Sequence, residues 1–161
     1  MIKSKSMRRT ALAAVLTLAF GAPAFAAGDV HSHDPAAGEA KLVLNQGKKW
    51  QTDAPLRQCM SNIRGAVAKD VNAIHTGKAT PKQYEALAQK VSTEVAGIVQ
   101  NCKLEPEADA QLHILIAELM AGAEAMEGKA PGETRQAGAE RVAKALNAYG
   151  EHFDHAGWKR L

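Results

Sequence analysis

Four stretches between residues 52 and 155 place apolar side chains at alternating intervals of three and four residues. This spacing brings the apolar side chains onto one face of an α-helix, so each stretch predicts a helix that buries that face. The first helix is expected to begin after Asp53, a favourable N-cap, with Pro55 in its first turn, and to end at Gly77. Its apolar positions are Leu56, Met60, Ile63, Val67, Val71 and Ile74.

The other three helices are bounded by equally local signals. Residues 80–83 form a capping box with proline at the first helical position, and the helix that they begin is expected to end near Asn101. The third helix is expected to begin at Pro106, and a glycine- and proline-containing break at residues 128–132 ends it. The fourth is predicted from about Thr134 to His155.

These helices define the predicted fold class. Each has roughly 21 residues and a length of about 32 Å, and short breaks join them. No run of alternating apolar and polar residues indicates a sheet. The pattern is typical of an all-α protein, an antiparallel up-down-up-down four-helix bundle that occupies residues 52–161.

The first 51 residues differ in character from the rest. Residues 1–26 combine a basic start, an apolar run over Thr10 to Phe20 and small-residue spacing that ends at Ala26, which predicts a cleavable signal peptide. Residues 27–51 are expected to form a flexible arm followed by a short extended segment. We therefore expect an exported, periplasmic protein. Because the apolar run is shorter than the roughly 18–20 residues of a spanning helix, no membrane span is expected after cleavage.

Removal of the leader changes the charge balance. The 20 basic residues fall to 16 against 17 acidic ones, because four basic residues belong to the leader. With no basic stripe and few aromatic side chains, the mature chain carries no signature of nucleic-acid binding. Its roughly 135 residues suit one domain with one core.

The end of the chain supplies the candidate chemistry. His152 and His155 are three residues apart, which on a continuous helix places both rings on one face. An antiparallel bundle would bring other donors to the same pole, and thioether, thiol and imidazole groups together suit copper, with zinc as the alternative. The candidate metal ligands are His152, His155, His113, Met60, Cys59 and Cys102.

The sequence is compatible with two chemical states of the cysteines. An oxidising compartment favours a disulfide between Cys59 and Cys102. A disulfide needs Cα atoms within about 7 Å, whereas helix axes lie roughly 8–10 Å apart and the expected boundaries offset the two residues by about 7 Å along the axis. The alternative is a pair of free thiols.

The segments 44–57, 101–106 and 147–158 resemble those of exported proteobacterial proteins described as DnrO-like. This resemblance implies the compartment and the fold. The architecture is also similar to that of cytochrome b562, a periplasmic four-helix bundle, and this similarity implies haem b held by Met60 and His152. In this chain Gly150 directly follows Tyr149, and His152 lies two residues beyond, about 200° around the helix.

Catalysis is not expected. The sequence contains no phosphate-binding glycine loop after a strand, no nucleophile elbow and no His-Glu-x-x-His motif. Three functional readings therefore remain: a transition-metal-binding bundle that prefers copper, a haem electron carrier, and a non-metal interaction module whose protein partner the sequence does not identify.

Overall fold

The computed structural model describes residues 41–161, and within them the chain is helical. The four helices are α1 (Ala54–His75), α2 (Pro81–Asn101), α3 (Pro106–Glu127) and α4 (Arg135–His152). This part of the chain contains no strand, only isolated bridges. The all-α prediction with four helices is thus confirmed. The predicted signal peptide and most of the predicted arm lie outside the described residues.

The helix starts follow from their caps. The Asp53 carboxylate accepts the backbone N–H of Leu56 at 2.8 Å, and Thr80 and Gln83 form the reciprocal capping box. The hydroxyl of Thr134 caps α4 in the same way. All three starts were predicted, the first two from these caps, because a cap depends only on residues within one helical turn.

The predicted end of α4 at His155 was wrong. The helix ends at His152, and Phe153 is extended, with φ −116° and ψ 139°. The cause is a pairing with the segment before α1: the N–H of Trp50 donates to the carbonyl of His152, and the N–H of Asp154 donates to the carbonyl of Trp50, both at 2.8 Å. His155 therefore lies outside the helix.

The core is formed by the inward faces of the four helices. Successive helices pack side by side, and α1 also contacts α4. The largest fully buried side chains are Tyr149, Phe153, Leu56, Met60, Ile63, Ile98, Leu112, Leu115, Leu119, Met126, Leu146 and Val67. None of the helices in this part of the chain has the combined length and apolar character that crossing a membrane requires.

Two glycines allow α3 and α4 to approach closely. A Cβ atom added at Gly122 would lie 2.7 Å from the carbonyl oxygen of Gly138, and one added at Gly138 would lie 2.6 Å from that of Gly122. Real Cβ atoms do not come this close to a carbonyl oxygen. The two backbones thus touch at a point where any larger residue would force them apart.

Residues 153–161, here called the return segment, fold back over the side of α1 and α4. The indole of Trp158 lies on Gly150, where an added Cβ would meet Cδ1 at 2.2 Å. The guanidinium of Arg64 donates to the backbone carbonyl of Lys159. The N–H of Leu161 donates to the Asn147 side chain at 2.9 Å, so the segment is held to both helices.

Candidate functional site

Both ring nitrogens of His155 lie near hydroxyl groups, and the contact with Tyr149 is the closer one. Its Nδ1 lies 3.0 Å from the hydroxyl of Tyr149, and its Nε2 lies 3.4 Å from Oγ of Ser61. The ring also stands edge-on to Tyr149 and packs against Trp158, with centroid separations of 5.7 and 4.9 Å. This histidine joins the return segment to α1 and α4.

The surroundings of His155 favour its neutral form. Burial lowers the pKa of the ring, and the positive charge of Arg57 lowers it further, while Asp154 acts in the opposite direction. A neutral imidazole carries one N–H and one acceptor nitrogen. Both of these groups have a hydroxyl neighbour here.

His152 is oriented by its own helix. It is half-buried in the last turn of α4, and its Nδ1–H donates to the carbonyl of Ala148 at 2.9 Å. Because α4 ends at this residue, His155 does not follow it on the same helical face. The structure therefore does not present the two histidines as the helical pair that the spacing predicted.

His113 is exposed on α3 and bonds within that helix. Its Nδ1 lies 2.9 Å from the carbonyl oxygen of Asp109 and 3.3 Å from the carboxylate of the same residue. His113 stands about 140° around α3 from Glu118, whose carboxylate pairs with Arg141 of α4. It thus faces away from α4, which carries His152.

Met60 is part of the core and has no exposed surface. Neither Met60 nor His152 lines any of the four surface cavities that the structure describes. A haem between these two residues would have to displace packed core side chains. The residues present therefore do not fit the haem group that the resemblance to cytochrome b562 implies.

Cys59 and Cys102 are free thiols, so the disulfide reading is not realised in this structure. Cys59 lies in the contact between α1 and α2, where its Sγ would be 3.3 Å from a Cβ added at Gly97. Cys102 is the C-cap of α2, and the Asp53 carboxylate is close enough to influence its thiol. The start of α1 and the end of α2 lie where the sequence predicted them, so the predicted offset of about 7 Å between the two cysteines along the helix axes holds.

Both thiols resist ionisation. Burial raises the pKa of Cys102 to about 12, with a further contribution from Asp53. Burial also raises the pKa of Cys59, and a hydrogen bond to the Glu94 carboxylate adds to the effect. Because the thiolate is the metal ligand and the nucleophile, these surroundings disfavour both roles.

Within residues 41–161, no three histidine, cysteine, aspartate or glutamate side chains are grouped so that they could hold a metal ion together. The predicted ligands are instead distributed over the core, the α1–α2 contact, the outer face of α3, the last turn of α4 and the return segment. Copper binding stays a prediction. The positions of these residues allow only a site with fewer protein ligands than the six predicted.

A surface groove that the sequence did not reveal lies between α3 and α4. This α3–α4 groove is a cavity of about 460 Å³. Its lining combines apolar side chains with charged ones: Leu42, Ile114, Leu115, Ala137, Ala145, Ala148, Glu118, Glu133, Glu140, Arg141 and Lys144. Small residues on the α4 side were the available signal, but alanine is common throughout the chain and did not distinguish this face.

A second cavity of about 360 Å³ lies at the pole where α2 leads into α3. It is lined by Trp50, by residues 51–53 before α1 and by residues 103–105 of the connection, together with other polar and apolar groups. The Asp53 carboxylate at its edge accepts the N–H of Lys103 at 2.7 Å. This carboxylate is already occupied by the backbone and caps α1.

Comparisons of the chain with protein-family models, with curated proteins and with solved structures found no match. The resemblance to DnrO-like proteins therefore stays a prediction, and the geometry of the described residues carries the functional argument.

Proposed function

We propose that this protein is a non-catalytic binding module, exported to the periplasm, that takes up a small amphipathic molecule in the α3–α4 groove. The groove itself carries the proposal. Its volume of about 460 Å³ lies within the roughly 300–1,000 Å³ typical of small-molecule sites. The leader-like composition of residues 1–26 supports the exported location.

The lining indicates the chemistry of the ligand. Ile114 and Leu115 of α3 and three alanines of α4 line the groove, so part of its surface is apolar. Arg141, which also lines the groove, pairs with Glu118 at 3.3 Å and with Glu133 at 2.5 Å. An apolar body that carries a single polar group would contact the apolar side chains and place its polar group beside the charged ones.

An antiparallel up-down-up-down arrangement of the helices is part of the proposal. Three hydrogen bonds between α1 and α2, with their flanking residues, support it. They join Asp53 to Lys103, Asn62 to Glu94 and Asp70 to Gln83, so positions that advance along α1 pair with positions that recede along α2.

The test uses 8-anilino-1-naphthalenesulfonate, an aromatic sulfonate, as the probe. We expect saturable binding, with amide NMR shifts concentrated at residues such as Ile114 and Ala145. Ala137→Trp fills the groove from an exposed position and should weaken binding by at least about tenfold, because a steric block removes the apolar contacts.

Ala86→Trp is the matched control, since Ala86 is an exposed residue of α2 that lines none of the described cavities. It should bind the probe as the unmodified protein does. Equal affinity in the Ala137→Trp and Ala86→Trp variants, or shifts spread over the whole bundle, would exclude the groove as the site.

A second candidate function is transition-metal binding, copper first and zinc second, at His152. The orientation of the His152 ring favours metal binding, because Nδ1–H donates to the carbonyl of Ala148 and Nε2 is available to coordinate a metal. Titration with copper(I) and zinc should show weaker binding in His152→Ala than in the control His75→Ala. Unchanged affinity in His152→Ala would end this candidate.

A further inference from the structure

A small cavity lies where the return segment meets α1. Its volume is about 140 Å³, well above the space that one water needs and below that of a typical metabolite site. Its lining residues are Ser61, Arg64, His155, Gly157, Trp158 and Lys159. None of them is acidic, and two carry a permanent positive charge.

Arg64 is fixed in place by the return segment. Its Nε donates to the carbonyl of Lys159, and its Nη2 donates to the carbonyl of Arg160 at 3.4 Å. The guanidinium also lies over the Trp158 ring, 6.0 Å from the centroid. These contacts neutralise none of its charge, because carbonyls and rings are uncharged, and Nη1 is left to bond a ligand.

His155 and Ser61 supply two further donors. The hydroxyl of Tyr149 lies 3.0 Å from Nδ1 of His155. Because this hydroxyl is buried and has no other hydrogen-bond partner among the described residues, we assign it as the donor, which leaves the proton of the neutral ring on Nε2. That nitrogen lies 3.4 Å from Oγ of Ser61, a long distance for a direct bond between them. An oxygen atom of a ligand placed beside both groups would accept from each.

We propose that this cavity is a binding site for a small tetrahedral oxyanion, held by Arg64, Lys159, Ser61 and His155. Arginine and lysine match the charge of the anion, and the hydroxyl and the imidazole N–H complete the set of donors. The site is separate from the α3–α4 groove, since the two linings share no residue. Occupation would also join the return segment to α1.

The experiment measures the affinity of the full chain for sulfate by titration calorimetry, at constant ionic strength maintained with chloride. Sulfate is chosen because its charge does not change near neutral pH. We expect saturable binding, with NMR shifts at the Ser61 amide and at the Trp158 indole. Inorganic phosphate should bind at the same place.

Arg64→Gln should reduce the affinity below detection. Because Arg64 also holds the return segment, Ser61→Ala is the second variant, and it removes only an exposed hydroxyl. It should weaken sulfate binding roughly tenfold. Arg160→Gln is the matched control: this arginine pairs with Glu151 at 3.0 Å and does not line the cavity.

Three results would overturn the proposal. The first is the absence of sulfate binding beyond that of chloride. The second is equal affinity in the Ser61→Ala variant and the unmodified protein, and the third is an equal loss in Arg160→Gln and Arg64→Gln. Failure here leaves binding of the aromatic probe in the groove unaffected, so the two proposals are tested independently.

Discussion

At the scale of single residues, the environment of a side chain decides its chemistry more than its spacing does. His152 and His155 are three apart in sequence, yet one completes a helix and the other is a contact between a loop and two helices. The thiols of Cys59 and Cys102 likewise lie among groups that keep them protonated.

His155 should make stability depend on pH. Its native pKa is below the ordinary value of about 6.5, so the unfolded chain binds the proton more readily. The free energy of unfolding should therefore fall as the pH drops from 7.5 through 6.5 towards 5. Urea unfolding at several pH values would measure this, and His155→Gln should show a smaller fall over the same range.

The two cysteines should both react as thiols, and slowly. Because their pKa values are raised, the thiolate fraction near pH 8 is small in the folded protein. Titration with a chromogenic disulfide reagent should give two thiols per chain in denaturant without prior reduction, and slower reaction in the native state. Recovery of two thiols only after reduction would instead show that Cys59 and Cys102 are joined.

At the scale of elements, glycine has opposite effects at different positions in the helices. At Gly122 and Gly138 the backbones of α3 and α4 meet, whereas nothing lies within 4 Å of a Cβ added at Gly65 of α1. Glycine is needed at positions 122 and 138 so that the helices can pack, whereas Gly65 only lowers the helix propensity of α1.

Gly138→Ala should therefore destabilise the fold by about 1–3 kcal/mol, because the new methyl overlaps the opposite backbone. Gly65→Ala is the matched control and should stabilise the protein by up to about 1 kcal/mol. Chemical unfolding of the two variants would compare them. A neutral effect of Gly138→Ala would contradict the close contact between α3 and α4.

The contact of the Trp158 indole with Gly150 predicts that substitutions at these two positions have coupled effects on stability. Gly150→Ala should destabilise the protein because the methyl overlaps the indole. In a Trp158→Ala background the same change should be neutral or stabilising, since the overlapping atoms are gone and alanine favours the helix. A double-mutant cycle by thermal unfolding measures the coupling; additive effects would place the indole elsewhere.

At the scale of the whole molecule, local signals predicted more than distant ones. The starts of α1, α2 and α3 followed from caps and prolines within a single turn. The end of α4 depended on Trp50, about a hundred residues away in sequence, and no local pattern reports that pairing. The two candidate ligand sites were missed for the same reason: each is lined by residues from separate parts of the chain.

The return segment also affects the order in which this protein can complete its fold. Residues 153–161 follow all four helices in the chain, yet they supply the indole and the carbonyls that cover the side of α1 and α4. Until residues 153–161 have been synthesised, the side of α1 and α4 that they cover is exposed to solvent. Because α1 is synthesised before residues 153–161, the contacts of Arg64 with Trp158 and Lys159 can form only after α4 has been made.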